Sequence, residues 1–195
     1  RGPAPEPCNT YAACESITNG SLLDVVEIDA ASNRGVEEIR DLRDKVKYAP
    51  NEVRTKVYII DEVHMLTPEA FNALLKTLEE PPSHVLFILA TTEPHKLPLT
   101  IISRCQRFDF HRVSAEEMVA RLAYICEQES IQVEEPALVL IAQVSEGGLR
   151  DALSLLDQAY AFGGDQITES NIRDIVGAVA DSYFHQVLAC IAERK

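Results

Sequence analysis

One stretch constrains this chain more than any other: Val57-Tyr58-Ile59-Ile60 runs directly into Asp61-Glu62. An apolar run rich in β-branched and aromatic side chains predicts a strand buried on both faces of a parallel sheet. In open α/β sheets, ligands bind beyond the carboxyl ends of the strands, which is where these two carboxylates fall. A carboxylate there can hold the water shell of Mg²⁺, which takes oxygen ligands and keeps several waters. Its neighbour can orient or deprotonate an attacking water. The same six residues also fit a strand that ends in a solvated acidic turn.

The surroundings alternate between strand and helix patterns. Asp24–Asp29 reads as a short strand and Ala30–Gly35 as a turn. Val36, Ile39, Leu42 and Val46 then recur at helical spacing, and Pro50 closes the element. Arg40, Arg43, Lys45 and Lys47 make its charged face, for solvent or for a partner. Thr67 is placed as an N-cap with Pro68 in the first turn, and Phe71, Leu74, Leu75 and Leu78 form the apolar stripe. Pro81-Pro82 ends that helix. Val85–Ala90 is a second apolar strand followed by Thr91-Thr92-Glu93, whose hydroxyls suit a phosphate, a water or a turn cap. A short helix over Leu97–Ile102 leads to Ser103-Arg104-Cys105, and the alternation in Gln106–Phe110 predicts an edge strand. Residues 1–112 therefore imply an open parallel sheet. Beyond them the pattern is helical: Ser114-x-x-Glu117 is a capping box, Pro136 opens a second helix, Gly147-Gly148 closes it, and Leu149–Tyr160 is a third. Thr168 caps a fourth, with Ile172, Ile175, Val176 and Val179 inside, and a last one begins near Asp181.

Charge narrows the functions. The 195 residues carry a net −13. Residues 1–112 hold 13 Lys and Arg against 17 Asp and Glu, and residues 113–195 hold 5 against 14. An acidic body repels nucleic acid at long range, so binding of DNA by this chain alone is not expected. No run of 18 apolar residues exists to span a membrane. Five cysteines, an odd number without a disulfide framework, indicate a reducing, cytoplasmic setting. The opening Arg1-Gly2-Pro3-Ala4-Pro5, with no initiator Met, reads as the middle of a longer protein.

The hydrophobic run with its acidic pair has the form of a Walker B element. With Val57–Leu66 (VYIIDEVHML), Phe71–Pro82 (FNALLKTLEEPP), Ala90–Pro98 (ATTEPHKLP), Ser103-Arg104-Cys105 and Gly147–Leu155 (GGLRDALSL) in one order, the chain resembles the gamma/tau family of bacterial DNA polymerase III clamp-loader subunits, which are AAA+ ATPases. The resemblance covers about Pro7 to Gly177. It implies an α/β, P-loop NTPase-type (AAA+) parallel sheet, incomplete at its N-terminus, over residues 1–112, a small all-helical lid over 113–178, and the start of a helical collar over 179–195. It implies that Asp61 helps hold Mg²⁺ through water and that Glu62 polarises the hydrolytic water. Thr92, or alternatively Thr91, would report the γ-phosphate of ATP. Arg104 would be an arginine finger reaching the ATP of a neighbouring subunit, and Arg150 would tie the lid to the nucleotide. The implied partners are other clamp-loader subunits, the sliding clamp and primer-template DNA. The implied complete protein is an ATPase within the DNA polymerase III holoenzyme; a non-hydrolysing, delta-prime-like scaffold is the alternative.

Two departures stand out. No Gly-x-x-x-x-Gly-Lys-Ser/Thr occurs in the chain, and the resemblance places that phosphate cradle and the sheet's central first strand upstream of residue 1. The family also has a zinc module of four cysteines, the first of which would lie upstream of residue 1 and the last three of which are spaced Cys-x₂-Cys-x₂-Cys. Cys8 and Cys14 match the outer two of those three, but Tyr11 holds the middle position, so little or no zinc is expected at this remnant within residues 1–20. His64, His84, His95, His111 and His185 show no ligand spacing and read as structural or solvated.

Overall fold

The computed structural model describes residues 6–33, 35–164 and 166–177. The expected collar over 179–195, the helix near Asp181 and Cys190 lie outside them. The chain divides into two compact units, Arg1–Phe108 and Asp109–Lys195.

In the first unit, β1 (Val25–Asp29), β2 (Lys56–Asp61) and β3 (Val85–Leu89) form a parallel sheet in the order β1-β2-β3. The register sets Val26 beside Tyr58 and Tyr58 beside Phe87, then Ile28 beside Ile60 and Ile60 beside Leu89. Because side chains alternate, these residues share one face. Helices α2 (Val36–Lys45) and α3 (Pro68–Glu79) cover that face with Ile39, Leu42, Ala70, Phe71 and Leu74. Thr67 caps α3 as its position predicts, its Oγ1 accepting from the Ala70 N–H at 3.2 Å. The opposite face is barer: Val57 and Ile59 are half-buried, and Leu86 and Ile88 are 50% and 44% exposed. Burial of β2 on both faces is thus not realised among the described residues.

A buried carboxylate holds the base of the sheet. Asp24 has no solvent exposure. Its carboxylate accepts from the N–H groups of Asn51, Glu52 and Val53 at 2.8–3.2 Å, while its carbonyl accepts from the Val57 N–H at 2.8 Å. The loop from α2 is thereby tied to the start of β2. Burial alone would raise the pKa of Asp24, but the three N–H donors, aided by Lys56, outweigh it and hold the carboxyl below its ordinary value.

Other elements differ from expectation. Ala12–Thr18, within a stretch that reads as irregular, is a short helix, α1. Gln106–Phe110 forms no strand. Alternation makes a strand only where a neighbour supplies ladder partners, and Phe108 and Phe110 stand 70% and 95% exposed. Pro94–Lys96 is a 3₁₀ turn, followed by the four-residue helix α4 (Leu99–Ile102).

The second unit packs α5 (Ala115–Gln128), α6 (Glu135–Val144), α7 (Leu149–Gly163) and α8 (Glu169–Val176) around Met118, Leu122, Ile141, Leu156 and Ile172. Ser114 and Glu117 form the expected capping box, and Thr168 forms a second with Asn171. Two dipeptides too short to leave a periodic signal, β4 (Gln132–Val133) and β5 (Gln166–Ile167), pair in parallel beside the helices. The α6–α7 elbow needs glycine at 147. Its φ is +84°, and a Cβ there would stand 2.6 Å from Arg112 Cβ and 3.0 Å from the Val113 carbonyl. Among the described residues no helix is long and apolar enough to cross a membrane.

Asp24→Ala should destabilise the sheet unit by roughly 3 kcal/mol, since buried N–H groups lose their acceptor. The contribution of Asp24 should be complete above the roughly 3.9 of an unfolded aspartate and drain away as pH falls through the lower folded pKa. Denaturant melts of parent and variant from pH 7 to pH 2 should therefore converge at the acid end. Tyr58, stacked on Phe87 with ring centroids 5.6 Å apart, buries a hydroxyl that has no partner. Tyr58→Phe should leave the melting temperature unchanged or raise it, because no hydrogen bond is lost.

Candidate functional site at the end of the central strand

The ladder continues past the strand ends. The Ala30 N–H donates to the Asp61 carbonyl at 3.0 Å, Ala90 N–H to the Ile60 carbonyl at 2.9 Å, and Val63 N–H to the Ala90 carbonyl at 3.0 Å. Between these bonds the chain must turn within one residue. Glu62 does so in the left-handed region, φ 47° and ψ 42°. A non-glycine residue there costs about 1–3 kcal/mol, and such residues cluster at functional sites. Val63, fully buried, then starts a 3₁₀ turn over Val63–Met65.

The turn gathers polar groups from two strand ends. Asp61 is exposed, and its Oδ1 accepts from the Glu62 N–H at 2.9 Å. The Thr92 hydroxyl donates to Glu62 Oε2 at 3.0 Å. His64 Nδ1 lies 2.9 Å from Thr91 Oγ1 and 3.2 Å from the same Glu62 Oε2, and its Nε2 lies 3.1 Å from Glu93 Oε2. Thr91 Oγ1 also accepts from the Glu93 N–H at 3.0 Å. The Lys96 ammonium, 2.5 Å from Glu93 Oε2, holds that carboxyl below the usual range. Beside Asp61 in the register, Asp29 spends its carboxylate on the following turn, accepting from the Ala31 N–H and the Ser32 hydroxyl.

Of the residues singled out from sequence, Asp61, Glu62 and Thr92 come together. Arg104 follows α4. Its guanidinium donates to Glu79 Oε1 at 2.5 Å and to the Thr100 carbonyl at 2.6 Å. Arg150 is exposed in the first turn of α7, in the other unit, and makes no ion pair among the described residues; Glu146 is paired instead with Arg112. His64, read from sequence as structural or solvated, is buried and bonded to Thr91 within the strand-end cluster. His84 does have a structural contact, Nε2 lying 3.2 Å from the Val46 carbonyl. The signal for His64 was its place one turn beyond Asp61, and spacing rules for metal ligands do not see it. Two hollows of the lid unit, about 300 and 340 Å³, are lined by none of these residues.

The family profile described as DNA polymerase III, delta subunit matches residues 2–114, more than half of the chain, and that described as DNA polymerase III clamp loader subunit, ATPase lid domain matches residues 117–165. The chain belongs to the DNA polymerase III clamp-loader subunit family. It is 60% identical over 192 residues to the DNA polymerase III subunit tau of Bacillus subtilis, covering 98% of this chain and 34% of that protein. It is 48% identical over 187 residues to subunit tau of Escherichia coli, covering 96% and 29%. The clamp-loader chain thus spans about a third of the length of these curated relatives. A solved DNA polymerase III, gamma subunit-related protein from Thermotoga maritima shares 31% identity over 67% of this chain and 41% of its own, with a TM-score of 0.50. The RuvB Holliday junction branch migration motor of the same organism superposes with a TM-score of 0.63 at 16% identity, over 83% and 54% of the two chains. At that identity the likeness is of fold alone.

The N-terminal remnant of this clamp-loader chain brings Cys8 Sγ to 3.7 Å from Cys14 Sγ. Two thiols are half of a tetrahedral zinc set, Tyr11 is half-exposed, and among the described residues no three His, Cys, Asp or Glu side chains cluster as metal ligands do. The donors present therefore do not fit a closed zinc site. The Thr10 hydroxyl, with the N–H groups of Thr10 and Tyr11, lowers the Cys8 thiol to about 7. Burial pushes Cys126 up, and desolvation by neighbouring atoms raises Cys105 too although its side chain is exposed. In metal-free buffer the rate of alkylation at Cys8 should climb as pH rises through about 7, with Cys105 and Cys126 lagging behind, as peptide mass spectrometry after timed iodoacetamide labelling would read.

Proposed function

We propose that this chain is part of a clamp-loader ATPase subunit of bacterial DNA polymerase III, coupling ATP binding and hydrolysis to loading of the sliding clamp on primed DNA. One observation carries this reading: Glu62 is held in a left-handed turn at the carboxyl end of the central strand, next to Asp61, with the Thr92 hydroxyl 3.0 Å from its carboxylate. A solvated acidic turn needs no such arrangement. The oxygen donors here suit Mg²⁺ held through its water shell rather than in an all-protein cage. Bound Mg²⁺ and ATP would supply the electrophilic phosphoryl group. Asp61 would hold the cation through its waters. Glu62 takes up the proton of the attacking water or fixes its lone pair toward phosphorus. Thr92, bonded to Glu62 at 3.0 Å, would exchange that bond for one to the γ-phosphate. No Gly-x-x-x-x-Gly-Lys-Ser/Thr lies within the 195 residues, so the phosphate cradle of the proposed site is not among them.

Arg104 we assign to the ATP of a neighbouring subunit, where a permanently charged planar fork neutralises the transferring phosphoryl group. Its bond to Glu79 must exchange for that contact. Arg150, exposed and unpaired among the described residues, ties the lid to the nucleotide. Partners are the other clamp-loader subunits, the sliding clamp and primer-template DNA, in a reducing cytoplasm consistent with the free thiols of Cys8, Cys14, Cys105 and Cys126. The match to the delta-subunit profile keeps a second reading in view, a non-hydrolysing scaffold of the same assembly.

The test uses complete subunits assembled into clamp loader. Glu62→Gln should bind ATP yet lose turnover by at least roughly 10²-fold, and Arg104→Ala should lose roughly 10³–10⁵-fold. Mixing the two inactive proteins should restore partial hydrolysis, because some interfaces then pair an intact Arg104 with an intact Glu62. Parental turnover by Glu62→Gln would remove the water-activating role of Glu62, whereas no turnover by the unsubstituted subunit would favour the scaffold. Mixed assemblies as inactive as either parent would remove the trans role of Arg104.

A further inference from the structure

We infer that His64 is a positioning residue for Glu62, selecting which of its carboxylate oxygens faces the attacking water. The inference rests on the reading of Glu62 as the water-activating group.

His64 is built into the site rather than placed beside it. Its side chain is only 7% exposed, yet both ring nitrogens face oxygen atoms within 3.2 Å: Thr91 Oγ1 and Glu62 Oε2 at Nδ1, Glu93 Oε2 at Nε2. A buried imidazole gives up hydration at both nitrogens, and that loss is recovered only if these contacts are made. Thr91 fixes the ring in turn. Its Oγ1 is anchored by the Glu93 N–H at 3.0 Å, so the ring cannot rotate without breaking a contact at the end of β3.

The contacts to Glu62 are one-sided. Thr92 donates to Oε2, and His64 Nδ1 faces Oε2 as well. With Thr92 bonded to Oε2 and His64 Nδ1 3.2 Å from it, Oε1 is the oxygen we assign to the water. The two grips are not equivalent. Thr92 sits on an exposed loop and is the group proposed to turn toward a phosphate. Once it turns, His64 alone keeps Oε2 in place. The ring also links two carboxylates. Nδ1, hydrogen-bonded to Thr91 Oγ1 at 2.9 Å, also lies 3.2 Å from Glu62 Oε2, and Nε2 lies 3.1 Å from Glu93 Oε2. Glu93 is already bonded to Lys96, which makes Glu62 the carboxylate that depends on the ring.

The test replaces His64 in the complete subunit within assembled clamp loader and measures steady-state ATP hydrolysis. His64→Asn keeps a donor on the Nδ1 side, His64→Gln keeps one on the Nε2 side, and His64→Phe keeps neither. His64→Phe should lose kcat by roughly 10²-fold, the scale of a misplaced catalytic group, with KM for ATP unchanged. His64→Asn should recover most of the loss and His64→Gln little of it. A purely structural histidine would show losses that follow melting temperature, with no difference between Asn and Gln. Equal kcat for those two variants, a defect confined to KM, or parental kcat in His64→Phe would each overturn the inference. Should His64→Phe fail to fold, the Asn–Gln comparison decides alone. Glu62→Gln run alongside separates the two levels. If it is inactive while His64→Phe turns over normally, only the role of His64 fails; if it is active, the reading of Glu62 fails and the inference with it.

Discussion

The continuation of the β ladder beyond the ends of its strands governs this molecule. Ala30 bonds to Asp61, Ala90 to Ile60 and Val63 to Ala90, so the backbone on both sides of Glu62 is held by neighbouring strands. A residue clamped at both flanks cannot relax out of a left-handed conformation, and its side chain leaves the sheet in one direction. The acidic pair is consequently rigid although it lies on a surface turn. The water-activating role proposed for Glu62 would need placement to within fractions of an ångström, and the backbone hydrogen bonds of the sheet are the means of it.

The remaining pieces of the site follow from that clamp. Thr91, Thr92 and Glu93 come from the end of β3, one strand over, and meet Glu62 and His64 because β2 and β3 run parallel and end level. The core face of the same strands, with Tyr58 and Ile60 under α2 and α3, sets their position from below. Asp24 fastens the other end of β2 through the Asn51–Val53 loop. A perturbation at the base of the sheet would therefore be felt first as stability and only then as chemistry.

Features that depend on local sequence were legible before any coordinates. Thr67, Ser114 and Thr168 cap helices where their side chains predict, and the β2 run is a strand because few other elements accommodate it. Asp61, Glu62 and Thr92 could be named because motif and strand end coincide. What was not legible depends on partners distant in sequence. Gln106–Phe110 alternates but has no ladder neighbour among the described residues. β4 and β5 are two residues each and pair across more than thirty positions. Asp24 reads as one more strand-edge acid until the loop 27 residues later folds onto it. The surroundings of His64 are not legible in sequence, because Glu62, Thr91 and Glu93 fit no ligand spacing and are assembled only by parallel pairing. Arg104 was picked out for its motif, but its bond to Glu79, from the end of α3, could not be read from sequence.

Among the described residues one face of the sheet is much less covered than the other, and that has a colloidal consequence. Val57, Ile59, Leu86 and Ile88 lie together on the opposite face, and the outer edge of β3 has no strand beside it among the described residues. Apolar side chains next to unpaired ladder groups form the surface on which separate chains adhere. The net charge of −13 opposes such encounters through long-range repulsion, and added salt weakens that repulsion within a Debye length of about 8–10 Å. The solubility of this chain in isolation is thus a contest between its charge and one less covered sheet face, decided by ionic strength as much as by the stability of the fold.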